Sequence, residues 1–138
     1  MLTLEAREYG PDSTPAEIEA IQARLYILRP GVVMYREVPA PSPFQIGLFA
    51  DKLRTITAGL SAYAMVMDLT GAKPPGGRCR EALRQMFADQ HALAHVAVFT
   101  GGNFIINGVA KLLLKNSGVR HLTMCKDEAE ALATLAAR

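Results

Sequence analysis

Four side chains able to handle charge or protons follow one apolar run in close order: Asp68, Thr70, Lys73 and Arg78. A second polar group, Thr100, Gly101, Gly102 and Asn103, follows another apolar run. An acid, a hydroxyl and two cations beside a pair of glycines are the ingredients of a small-anion site. Glycines leave backbone N–H groups approachable, and the start of a helix carries positive potential. The same residues also serve a plainer purpose, in which the glycines allow a tight turn, Asn103 caps a helix and Asp68 caps a loop. The spacing is neither a phosphate-binding P-loop nor a full dinucleotide fingerprint.

Other chemistry is weakly represented. Asp68 has no His or second carboxylate near it in sequence to make an acid–base pair, so no catalytic set is assigned. His91, His95 and His121 lack ligand spacing, and Cys79 and Cys125 lack the paired spacings of a zinc site or a disulfide framework. No metal and no cofactor is expected. Cys79 stands beside Arg78 and Arg80, which favours a thiolate, but it also falls on the inner side of a predicted helix, where an unpaired Cys acts as a small apolar residue.

These groups need elements to position them. Half of the 138 residues are apolar and a fifth are charged, the balance of a folded globular chain, and the length suits one domain over 1–138 with residues 1–22 as a less readable extension. A formal net charge of +2 gives no electrostatic reason to expect nucleic acid. The first ten residues hold no apolar run of a signal peptide, and the longest apolar stretch, 104–114, is interrupted by Asn107 and Lys111. That is short of the roughly 20 residues a membrane span requires. A cytoplasmic setting is expected.

Thr14, Pro15 and Glu17 supply an N-cap, a first-turn proline and a capping-box partner, so a short helix is expected from Pro15, although the segment could equally lead into a strand. Pro30 and Gly31 between two apolar runs match a type II turn and a β-hairpin within 23–38. Residues 39–43 contain three prolines and form a connector. Ser42, Pro43 and Gln45 then open a helix whose apolar stripe is Ile46, Phe49, Leu53, Ile56 and Leu60, with Gly59 as terminator. Beyond it come a strand at 63–69, a helix at 78–88, a strand at 95–99, a helix at 104–115, a strand at 122–125 and a helix from about 127 to 137. Alternation of this kind requires parallel pairing with right-handed crossovers. The expected fold is α/β: a mixed five-stranded sheet with about four helices, an N-terminal hairpin preceding parallel βαβ units.

Several segments carry a resemblance. Met67-Asp68-Leu69-Thr70, His95-Val96-Ala97-Val98, Gly101-Gly102-Asn103-Phe104, the Leu-rich run Ala110 to Lys115 and the acidic Asp127-Glu128-Ala129-Glu130-Ala131 follow one another in the order of the STAS-like, or SpoIIAA-like, superfamily. The chain resembles its small stand-alone bacterial branch over a little more than half its length. The resemblance implies a non-enzymatic regulatory or protein-interaction module. Anti-anti-sigma members are switched by phosphorylation of a Ser just after the Asp-Leu-Ser or Asp-Leu-Thr strand. Here residues 72–79 read Ala-Lys-Pro-Pro-Gly-Gly-Arg-Cys, without a hydroxyl, and Thr70 falls too early, at the strand end. Lipid-carrier domains of the CRAL-TRIO type share the fold, but no residue match carries their function over. The alternative is a small anion or a lipid bound at the C-terminal edge of the strands, where loops and helix N-termini converge, or in an apolar cavity.

The helix from Phe104 is apolar over most of its circumference. Phe104, Ile105, Ile106, Val109, Leu112 and Leu113 spread beyond the arc of about 100° that covers one sheet face. A homodimer or a regulatory protein partner would use the excess; neighbouring helices or the N-terminal segment are the other cover.

Overall fold

The computed structural model describes residues 2–136. Five strands lie in the order β1-β2-β3-β4-β5, with β1 (Leu25–Arg29) antiparallel to β2 (Val32–Arg36). The next three, β3 (Tyr63–Asp68), β4 (Leu93–Phe99) and β5 (His121–Cys125), continue in parallel. The hairpin turns at Pro30 and Gly31, and Gly31 takes the positive φ of 78° that the turn demands.

Five helices complete the α/β fold: α1 (Pro15–Gln22), α2 (Pro43–Ile56), α3 (Gly77–Ala88), α4 (Phe104–Asn116) and α5 (Glu128–Ala136). The segment at Pro15 is therefore a helix and adds one to the expected four. Residue 137, where the last helix was expected to end, lies outside the described residues. Both N-terminal capping boxes form as their spacing requires. Thr14 and Glu17 exchange bonds with each other's backbone, and Ser42 and Gln45 do the same.

Strand alternation divides the core in two. Val33, Tyr35, Met65, Met67, Val96 and Val98 point to one face, under Phe49 and Leu53 of α2, Leu83 and Met86 of α3, and Ile106 and Leu114 of α4. Tyr9 joins this layer, so the N-terminal segment is packed against the sheet. Val32, Met34, Val66, Ala97 and Phe99 point to the other face, which α5 covers with Ala131 and Leu135. At the centre of the larger layer the rings of Tyr35 and Phe49 meet edge to face, 4.9 Å between centroids.

The helix expected to carry Leu60 stops earlier. The Thr57 hydroxyl donates to the Leu53 carbonyl, Gly59 turns the chain at φ 82°, and Leu60 is left exposed.

Candidate functional site

The C-terminal ends of β2, β3 and β4 form one rim, and strand alternation sorts its side chains onto two faces. Asp68 follows Val66 onto the α5 face. In the β2–β3 register it stands beside Arg36, whose guanidinium donates to Asp68 Oδ2 at 2.8 Å and to Glu128 Oε1 of α5 at 2.9 Å. The other carboxylate oxygen, Oδ1, accepts the Thr70 backbone N–H at 2.9 Å. Asp68 thus closes the strand-end loop as a backbone cap and joins a three-residue ion-pair cluster tying β2, β3 and α5 together.

The two predicted crossovers do meet. A Cβ on Gly101 would sit 3.4 Å from the Thr70 methyl, so the loops after β3 and β4 touch at this point. The second group is occupied with building the turn into α4. Gly101 and Gly102 hold φ values of 73° and 88°, Asn103 Oδ1 accepts the Ile106 N–H, and buried Thr100 donates to Asn107 Oδ1 at 2.7 Å. Lys73 and Arg78 part from Asp68. Together with Glu8 and Pro41 they line a shallow cleft on the α2–α3 side, where the Lys73 ammonium approaches the Ala6 carbonyl at 3.5 Å. The eight residues grouped from sequence therefore form two settings on one rim rather than a single site.

The most unusual group on the rim is one that sequence spacing did not single out. Glu37 follows Tyr35 onto the larger core face and is 3% exposed. Its Oε2 accepts the Tyr35 hydroxyl at 2.8 Å and its Oε1 accepts the Val38 N–H at 2.9 Å. Among the described residues no Lys or Arg nitrogen lies within ion-pair distance of it. Arg24, whose charge acts on it, spends its guanidinium on the carbonyl oxygens of Arg36 and Glu37. Burial outweighs the hydrogen bonds and pushes the Glu37 carboxyl up to about 7. The Gln45 side chain also favours the ionised form, while its Nε2 is buried without a hydrogen-bond partner. Glu37 is among the residues that line a cavity of about 40 Å³, together with Met67, Leu69, Leu83, Ile106 and Leu113. The only sequence signal for it is its place two residues after Tyr35, on the same face of the strand.

Cys79 is buried on the inner side of α3, and burial, followed by the nearby Glu37 and Glu8 charges, pushes its thiol up to about 12. The flanking arginines do not generate a thiolate. Buried His95 bonds through Nε2 to Thr123 Oγ1 at 2.8 Å and stacks edge-on with His121. Among the described residues no group of three His, Cys, Asp or Glu side chains stands close enough to hold a metal ion, and no helix is long and apolar enough to cross a membrane.

On α4 the apolar residues separate cleanly. Ile106 is buried in the core, while Leu113 packs partly buried against that core and Val109 is half-buried, so these three belong mainly to the inner side. Phe104, Ile105 and Leu112 face outward and are 89%, 69% and 64% exposed. Comparison with models of protein families, with curated proteins and with solved structures finds no match for this chain.

Proposed function

We propose that this chain is a regulatory or protein-interaction module of the STAS-like type, non-enzymatic and without the usual phosphoacceptor serine, that works as a homodimer through the outer face of α4. The observation that carries this reading is the exposure of Phe104, Ile105 and Leu112 on a helix whose opposite side is already buried. Large apolar side chains clustered this way on the solvent side of a helix mark a contact surface.

The occupant is a second copy because the stripe suits itself. Phe104, Gly108 and Leu112 recur every four residues, large-small-large, and Gly108 is exposed with no neighbour within 4 Å of where a Cβ would stand. Nothing within the chain requires glycine there, and glycine inside a helix costs about 1 kcal/mol relative to alanine. Two such helices crossing antiparallel at Gly108 set Phe104 of one copy against Leu112 of the other, an isologous contact with two-fold symmetry. A cytoplasmic setting belongs to the same reading. It is supported by Cys79 and Cys125, which are free thiols packed against opposite faces of the sheet. Sedimentation equilibrium at micromolar concentration tests the dimer: Phe104→Asp with Leu112→Asp should yield a folded monomer, and a wild-type monomer would end the proposal.

A further inference from the structure

The cavity beneath α4 is built like a receptor for one kind of small molecule. Its walls are almost wholly apolar, with Met67 and Leu69 from the end of β3, Leu83 from α3, and Ile106 and Leu113 from the inner side of α4. Glu37, just past the end of β2, is the one acidic residue of its lining, and the exposed Lys73 also borders it. The space of about 40 Å³ would admit about three water molecules or the body of a molecule of a few carbons. The carboxyl already accepts from Tyr35 and Val38, which fixes its orientation, yet it has no cation of its own. A buried carboxylate is costly unless it is paired with a positive charge, so an arriving cation gains more here than at the surface.

We propose that this cavity binds a primary alkylammonium, its charged head on Glu37 and its short unbranched stem along the wall formed by β3, α3 and α4. An ammonium head has three donors for the two carboxyl oxygens. A quaternary head has none, and a neutral alcohol leaves the charge unpaired. The charged and titratable groups around Glu37 are Tyr35 beside it on β2, Arg24 before β1, Cys79 on α3 and Lys73 in the loop after β3. Of these, Tyr35 and Cys79 are held neutral by burial, Arg24 is bound to backbone carbonyls, and Lys73 is exposed at the margin. The carboxyl must ionise to take the cation, so binding strengthens as pH rises through about 7. The site uses the inner side of α4 and does not rest on dimerisation through the outer side.

The test is titration of the intact chain with n-butylammonium chloride, followed by methyl NMR of Met67, Leu83, Ile106 and Leu113. Saturable shifts at these methyls are expected. The affinity should be about tenfold weaker a unit below pH 7 than a unit above it. Glu37→Gln should weaken it at least about tenfold, while Lys73→Ala should strengthen it by about twofold. Ala72→Leu, which fills the cavity and leaves Glu37 in place, should abolish the shifts and covers the case in which Glu37→Gln does not fold. Equal binding of n-butanol, tetramethylammonium or the Glu37→Gln protein, or the absence of shifts in the wild type, overturns the proposal.

Discussion

Arg36 at the end of β2 and Asp68 at the end of β3 stand side by side in the parallel register, guanidinium to carboxylate at 2.8 Å, and a third member, Glu128, joins them from α5. This pairing gives Asp68 a structural duty: it holds the guanidinium that reaches Glu128 of α5, while its other oxygen caps the loop at Thr70.

Replacing Asp68 by Asn keeps the Oδ1 acceptor for Thr70 but removes the charge opposite Arg36. The expected loss is about 1–2 kcal/mol of unfolding free energy in urea, since the cluster is only partly shielded from solvent. Asp68→Ala should cost more by also freeing the Thr70 N–H. Equal losses for the two variants would mean that the backbone cap contributes nothing.

Glu37 sets a pH dependence of stability. In the unfolded chain it titrates in the ordinary range near 4.5, whereas in the folded protein burial raises it to about 7. Between those values the folded protein retains a proton that the unfolded chain has lost. Its contribution is therefore full below about pH 4.5 and is lost as pH rises through 7, by on the order of 3 kcal/mol. Glu37→Gln should flatten this descent in denaturant titrations at several pH values. An unchanged slope in the variant would assign the effect elsewhere.

Ser42 does two jobs from a buried position. It caps α2 by accepting the Gln45 N–H, and its hydroxyl donates to the Tyr9 carbonyl at 2.7 Å. Ser42→Ala should cost about 2 kcal/mol, the sum of a lost cap and a lost buried hydrogen bond. Thermal unfolding followed by circular dichroism measures it, and a loss below about 0.5 kcal/mol would contradict the double role.

Cys79 should resist alkylation. With its thiol raised to about 12 and its side chain buried, iodoacetamide labelling at mildly alkaline pH should be slower for Cys79 than for the less deeply buried Cys125. Preferential modification of Cys79 would indicate that the arginines beside it do activate it.

Local spacing carried the elements well and their partners poorly. Thr14-Pro15-Glu17 and Ser42-Pro43-Gln45 announce helix starts because a capping box is complete within four residues. Pro30-Gly31 announces its turn for the same reason. Asp68 is conspicuous at the end of an apolar run, but Arg36, 32 residues earlier, becomes its partner only through the register of β2 on β3. Glu37 falls inside the hairpin segment 23–38, and nothing local says that it will line one cavity with Pro41, Leu83 of α3 and Ile106 of α4. The wide apolar arc of α4 is evident from composition. Which part turns outward depends on how the helix rolls onto β4 and β5, and that places Ile106 inside and Phe104, Ile105 and Leu112 outside.

Sedimentation equilibrium of the wild type beside the Phe104→Asp/Leu112→Asp variant is the decisive experiment for the outer face of α4. Twice the 14.9 kDa chain mass is expected for the wild type at micromolar concentration and a single chain mass for the variant, with matching circular dichroism spectra. A wild type that sediments as one chain, or a doubly charged variant that still sediments as two, rules out dimerisation through α4.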